Sequence, residues 1–327
     1  MRIGCSFFGC RFPEHFKIEI EHLKNSGFDT VLITFSENDY FFYHKTICKL
    51  VETAKTAGFT VYLNPWGVLG IFGGEAFSKW LVDYPEIWQK DNSGKPAGSA
   101  CINNPVTEKL LFDWSQKAVE TGCDYIFWDE PHFYFKDFQK DTGVWGCACD
   151  ICKNAFEKKY GYPFPENKIN NDLADFRNDS ITVLLNKLCG YVKENGKKNN
   201  ICLLPTEDSS MGGLSDWNKI KFIGGIDMIS TDPYWQRKNK KVSEYVDYFS
   251  NKLIHLSKDI KTESEIWVQA YKIIKNRENE IAEAVNLIKT KKPDSIMFWS
   301  YKAGYPMSEL ESEDAYKTWN TILKSIK

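Results

Sequence analysis

The chain has 327 residues, 43% hydrophobic and 26% charged, with a formal net charge of −2. That length and apolar content support a sizeable core, and the near-neutral charge gives no reason to expect nucleic acid or an anionic membrane surface as a partner. No apolar run is long enough to span a bilayer. The first residues read as a strand without the basic start and cleavage site of a signal peptide, so a soluble, cytoplasmic protein is expected.

Short apolar runs expected as strands fall at residues 3–9, 30–36, 60–66, 124–130, 200–206, 227–232, 265–271 and 295–301. Amphipathic stretches expected as helices lie at 15–26, 45–57, 106–121, 180–195, 242–257, 278–289 and 312–326. Gly27, Gly58, Gly122 and Gly196 each follow such a stretch, as helix-terminating glycines do. Between the fifth and sixth strands, around residues 215–222, the helical pattern is faintest. Eight strands alternating with helices, with no linker or internal repeat, predict a single (β/α)8 TIM barrel catalytic domain over residues 1–327. A doubly wound open sheet is disfavoured, because Gly9-Cys-Arg-Phe-Pro13 is not a phosphate-binding loop. Two long insertions, 67–104 after the third strand and 131–171 after the fourth, are expected to extend over the barrel mouth.

The fourth strand carries the strongest functional signal. Its apolar run ends in Asp129 and Glu130, followed by Pro131. A strand core tolerates no unpaired charge, so the pair belongs at the strand end, where a parallel barrel builds its active site. Adjacent strand residues point to opposite faces, so both acids reach one site only if the strand ends or twists there. The alternative is a solvated surface turn, against which Trp128 and Pro131 argue.

Cysteines add a second motif. Cys147, Cys149 and Cys152 lie within six residues, and Cys101 lies in the other insertion. Four thiolates can surround a zinc ion tetrahedrally at ~2.3 Å, which would make it structural and pin both insertions together. Buried unpaired thiols or a disulfide within the triplet are the alternatives. Cys5, Cys10, Cys48, Cys123, Cys189 and Cys202 are expected in the core.

Cys101 followed by Cys147-x-Cys149-x-x-Cys152 and the run Phe156-Glu-Lys-Lys-Tyr-Gly161 resembles the zinc site of family 42 glycoside hydrolases. The resemblance covers roughly residues 64–161 and implies a (β/α)8 barrel related in architecture to those β-galactosidases, without implying their activity. It also implies that Glu130 is a general acid/base. The chain departs from the family in having Asp129, not asparagine, before that glutamate. It also lacks the family's nucleophilic glutamate at the end of the seventh strand, where Gln269 stands and Glu265 is at the opposite end.

Glycoside cleavage needs an acid for the leaving oxygen and a group that attacks or stabilises the anomeric carbon. Glu130 is the expected acid. Asp232, ending the sixth strand in the same style and followed by a proline and aromatics, is one expected partner; Asp129 is another, as strand-four nucleophile with Asp232 as acid. A third route resembles family 20 hexosaminidases, in which an adjacent Asp-Glu pair serves substrate assistance by a 2-acetamido group. Glu207, after the fifth strand, is a further candidate base or hydroxyl ligand. Asn64, Trp66, His132, Tyr234, Trp235, Gln269, Trp299 and Tyr301 recur at successive strand ends as candidate sugar-binding residues, polar groups beside stacking rings.

The leading expectation is therefore a glycoside hydrolase acting on a small carbohydrate. Its rivals are a carbohydrate-binding barrel without catalysis and a metal-dependent enzyme using Asp129, Glu130, His132 and Asp232. The second is weakened by the presence of a single histidine near the motifs. The sugar and the oligomeric state are not encoded in these patterns.

Overall fold

The computed structural model describes residues 1–8, 10–136, 142–306 and 308–327. Gly9, the last residue of the expected first strand, and residues 137–141 of the second insertion lie outside these. Eight parallel strands close into a barrel: β1 (Arg2–Phe7), β2 (Thr30–Thr34), β3 (Thr60–Asn64), β6 (Tyr125–Asp129), β7 (Lys198–Leu203), β8 (Met228–Thr231), β9 (Glu263–Gln269) and β10 (Ser295–Trp299). The two strands between β3 and β6 in the chain, β4 (Trp88–Lys90) and β5 (Pro96–Ala100), form a separate antiparallel hairpin inside the first insertion.

The outer layer is built from α1 (Pro13–Asn25), α2 (His44–Thr56), α4 (Pro105–Glu120), α6 (Asn171–Glu194), α7 (Asp247–Ile260), α8 (Asn279–Lys291) and α9 (Ala315–Ser325). Two short helices, α3 (Lys79–Asp83) and α5 (Asp150–Tyr160), sit in the insertions. Every expected barrel strand and outer helix is present, because hydrophobic periodicity reports which face of an element is buried. The largest boundary difference is at α6, expected from residue 180 and observed from Asn171. Its start is set by the Asn170 side chain, which accepts from Leu173 N at 2.9 Å. The faint segment after β7 forms only a 3-10 turn, Trp217–Phe222. Among the described residues no helix is long and apolar enough to cross a membrane.

Strand alternation sorts side chains into two cores. On β6, Ile126 and Trp128 face the helices, where Trp128 meets Trp114 and Phe72, while Tyr125 and Phe127 fill the barrel with Leu32, Tyr62, Met228, Trp267 and Met297. The interior has one polar layer. Glu265, fully buried, accepts hydrogen bonds from Asn200 Nδ2 at 2.8 Å, Trp267 Nε1 at 2.9 Å and Tyr62 OH at 3.1 Å. Glu265 therefore ties three strands below the mouth and does not reach it.

The insertions are stitched to each other. Gln89 of β4 donates to the Ala100 carbonyl at 3.0 Å and accepts from Tyr134 N at 3.0 Å. Ala148 N donates to the Lys90 carbonyl at 2.7 Å, and Asp91 bridges to Gly146.

Removing the Glu265 carboxylate should strand three buried donors. Glu265→Leu is expected to lower unfolding stability by about 3 kcal/mol or more, read as a fall in urea midpoint. An unchanged midpoint would remove the interior network from the list of stabilising features.

Candidate active site

β6 puts Asp129 on the inward side, two residues beyond Phe127, and continued alternation would turn Glu130 outward into the helix layer. The strand instead ends at Asp129, and Glu130 adopts φ +44°, a left-handed conformation that costs a non-glycine residue about 1–2 kcal/mol. That single rotation brings the two neighbouring carboxylates into one cavity. Asp232, immediately after β8 and in inward register behind Met228 and Ser230, hydrogen-bonds to Glu130 from the next strand but one.

The cavity has a volume of about 360 Å³ and opens at the C-terminal end of the barrel. Leu32, Phe127, Cys202 and Trp267 line its base, and Asn64, Trp66, His132, Tyr234, Tyr271 and Trp299 line its sides. Trp66 stacks on Trp299 at 4.8 Å, and Phe8 stacks on both, at 5.9 and 5.5 Å. Such a bank of rings offers the apolar platform that a pyranose face requires. On the other side, Asn64 Nδ2 donates to Asp129 Oδ2 at 3.3 Å, while Asn64 Oδ1 and Asp232 Oδ1 are buried without a protein partner. Two unsatisfied acceptors facing one cavity are suited to donors on a bound molecule.

The first insertion closes one flank with Gly73-Gly74-Glu75. Gly73 N donates to the Asp129 carbonyl at 2.9 Å, and a Cβ on Gly73 would lie 2.8 Å from Asp129 Oδ2. Gly74, at φ +124°, passes so close to Trp66 that a Cβ would lie 2.6 Å from its ring. Only glycine allows this backbone to approach both groups. Glu75 then reaches the cavity rim opposite Arg237, whose guanidinium donates to Tyr271 OH at 3.1 Å.

Electrostatics follow from this crowding. Burial first, then the charge of Glu130, pushes the Asp129 carboxyl up to about 8, with Asn64 opposing. Burial and the adjoining Glu130 charge raise Asp232 well above the usual carboxylate range. Burial also raises Glu130, opposed by its bond to Asp232 and by the charges of Lys238 and Arg237. Glu75 is raised by burial as well, with Arg237 opposing. Asp129 and Glu130 keep part of their surface open to the cavity, and water there tempers these shifts. The three central carboxyls do not all ionise at neutral pH. His132 is lowered by burial and is neutral; its Nδ1–H donates to the Glu130 carbonyl at 2.6 Å and braces the left-handed turn.

Of the residues singled out by sequence, Asn64, Trp66, Asp129, Glu130, His132, Asp232, Tyr234 and Trp299 line this cavity. Four others are placed elsewhere. Glu207 is exposed and bonds Tyr248 OH and Lys252 Nζ, at 2.5 and 2.8 Å. Trp235 is buried in the helix layer, donating to Glu280 at 2.8 Å. Gln269 uses its whole amide on the Gln236 N–H, at 3.1 Å, and the Tyr271 carbonyl, at 3.0 Å, bracing two loops. Tyr301 lies outside the barrel against Phe7 and Trp319 and donates to Glu19. Glu75 and Arg237 were not singled out. A pair of glycines followed by an acid, in an insertion already assigned to the mouth, was the available signal for Glu75.

The four cysteines of the two insertions converge. Cys101, Cys147, Cys149 and Cys152 are buried, none is in a disulfide, and their sulfur atoms all lie within 4.8 Å of one another. Ligands at ~2.3 Å from a tetrahedral centre are ~3.8 Å apart, so the set fits a metal ion. Asn103 Nδ2 donates to Cys152 Sγ at 3.3 Å, a bond that suits a thiolate. Of the remaining cysteines expected in the core, Cys5, Cys123, Cys189 and Cys202 are buried, whereas Cys10 and Cys48 are partly exposed.

No family model and no curated protein matches the chain. Solved structures do. The endo-1,4-beta-mannanase from Rhizomucor miehei superposes with a TM-score of 0.62 at 12% identity, covering 99% of this chain and 94% of that one. The endo-beta-1,4-mannanase from Thermotoga petrophila gives 0.61 at 10%, covering 99% and 76%. The D-psicose 3-epimerase from Clostridium cellulolyticum gives 0.51 at 10%, covering 100% and 98%. The likeness is one of fold: a (β/α)8 barrel. Hydrolases and an isomerase share it, so the chemistry has to be argued from the site.

The raised Asp129 group has a stability consequence. Between its ordinary value of 3.8 and about 8, the folded protein holds a proton that the unfolded chain has released. Stability from this group is full below about pH 4 and is lost as pH rises through about 8. Asp129→Asn abolishes that loss. Its melting temperature relative to wild type should therefore rise between pH 5 and pH 9; a constant difference would contradict the assigned shift.

Proposed function

We propose that this protein hydrolyses a glycosidic bond of a small glycoside or oligosaccharide, using its three central carboxyls as the catalytic group. The observation that carries this reading is the left-handed turn at Glu130, which sets Asp129, Glu130 and Asp232 together in a cavity walled by Trp66 and Trp299. A strained residue at the mouth of a barrel, holding carboxyls that resist ionisation, is a feature of acid/base sites. The mannanase structures sharing the fold agree with it.

Glu130 and Asp232 are hydrogen-bonded. Groups that flank a glycosidic bond stand apart, ~5–5.5 Å for retention and ~6.5–9.5 Å for inversion. The pair therefore works as one unit, with the shared proton resting on Asp232 and passing through Glu130 to the leaving oxygen. Asp129, fixed by Asn64 and crowded by Gly73, serves as nucleophile or stabiliser in its ionised form, the minority form below about pH 8. Proton transfer out of the pair as the bond breaks leaves negative charge beside the developing oxocarbenium ion, where it is most useful. The unsatisfied acceptors of Asn64 and Asp232 take hydroxyls of the same sugar.

The cysteine cluster holds zinc, with all four positions filled by protein, so that the ion ties the mouth together and takes no part in bond cleavage. The C-x-C-x-x-C spacing with a remote fourth ligand and its resemblance to the zinc site of family 42 hydrolases support this.

Catalysis is tested by a panel of aryl α- and β-glycosides, 2-acetamido sugars included. Glu130→Gln should lower kcat/KM ~10²–10⁴-fold on the sugar that is turned over, with Asp129→Asn comparably impaired. Asp232→Asn should lower kcat and shift the pH profile without abolishing binding. Turnover of no glycoside, with sugar binding retained in calorimetry, would replace hydrolysis by binding alone. For the metal, elemental analysis should find one zinc per chain, and Cys149→Ser should lose it and lower the melting temperature.

A further inference from the structure

Arg177 poses a problem that the catalytic reading does not address. It lies on α6 with only 3% of its surface exposed. Its Nη1 donates to the Ser209 carbonyl at 2.7 Å and its guanidinium lies 5.1 Å above the Phe133 ring, but Nε and Nη2 are buried without a hydrogen-bond partner. Among the described residues no carboxylate forms an ion pair with it. A buried cation without a counter-charge is strongly unfavourable. Negative charge acts on Arg177 from the cysteine cluster first, through Cys147 and Cys152, and then from the exposed Asp208.

We propose that Arg177 is the buried counter-charge of a tetrathiolate metal centre formed by Cys101, Cys147, Cys149 and Cys152. This rests on the metal reading above. A divalent ion with four thiolates carries a net charge of about −2, and burying that charge in these insertions is as unfavourable as burying the arginine alone. Each removes the other's deficit. The guanidinium also reaches the loop after β7 through Ser209 and the loop after β6 through Phe133, which directly follows His132 of the cavity. The same side chain therefore carries the rigidity of the metal centre to the wall of the active site. If the four cysteines stayed neutral thiols, the exposed, solvent-screened Asp208 would be left to offset the buried arginine.

The test uses the zinc-loaded protein and measures zinc release to a chromogenic chelator, with melting temperatures before and after metal removal. Arg177→Gln removes the charge while keeping an amide donor, at the loss of the contact with Phe133; Arg177→Lys keeps the charge. Arg177→Gln should release zinc ~10–100-fold faster than wild type, with its stability deficit confined to the loaded form. Arg177→Lys should recover most of the retention. Equal release rates for all three proteins, or a deficit of the same size with and without metal, would overturn the assignment and leave Arg177 a packing residue. If Arg177→Gln does not fold, Arg177→Lys decides: release at the wild-type rate supports the counter-charge, and release ~10-fold faster or more overturns it. Wild type without zinc would overturn the metal reading itself and this inference with it.

Discussion

Placing two adjacent residues of one strand in the same cavity requires the backbone to break its alternation, and here the break is at Glu130. Its φ of +44° costs about 1–2 kcal/mol, and the surrounding contacts hold it there. The His132 ring donates to the Glu130 carbonyl, the Gly73 amide donates to the Asp129 carbonyl, and Pro131 limits the chain beyond. Were Glu130 to relax to an extended conformation, its carboxylate would turn into the apolar layer occupied by Trp128 and Trp114. Asp129 and Asp232 would then face each other without it.

The cost of crowding three carboxyls is electrostatic, and it is supported from below and from the sides. Beneath the cavity, the Glu265 network with Asn200, Tyr62 and Trp267 fixes strands that the aromatic base rests on. At the rim, Arg237 and Lys238 oppose the rise of Glu130. The result is a group of acids that retain protons under conditions where isolated carboxylates lose them, the property that proton donation to a leaving group demands.

The insertions form the upper half of the site. The first supplies Gly73, Gly74 and Glu75; the second supplies His132 and most of the cysteine cluster. Both segments anchor apolar side chains in the main core, Ile71, Phe72, Trp80 and Ile87 from the first and Phe133, Trp145, Phe156 and Phe164 from the second. Further order comes from pairing of the segments with each other through Gln89, Asp91 and Ala148, and from the four sulfur atoms that converge between them. A metal centre there would add a further cross-link to that packing.

The strand and helix alternation was legible in the sequence because period-two and period-3.6 patterns report burial locally, and the positions of Asp129, Glu130 and Asp232 followed from charges at the ends of apolar runs. The cysteine spacing likewise pointed to its cluster, since few other structures explain three thiols in six residues. Only the tertiary structure decided which strand-end residues face the cavity. Beyond the last paired residue, side-chain direction depends on individual φ/ψ values and not on alternation; this is why Trp235 and Tyr301 turn away while Glu130 turns in. Gln269, still paired within β9, is withheld instead by its bonds to Gln236 and Tyr271. Glu75 and Arg237 enter the site, and Glu207 does not, because barrel closure joins loops far apart in the chain, and no local pattern records that proximity.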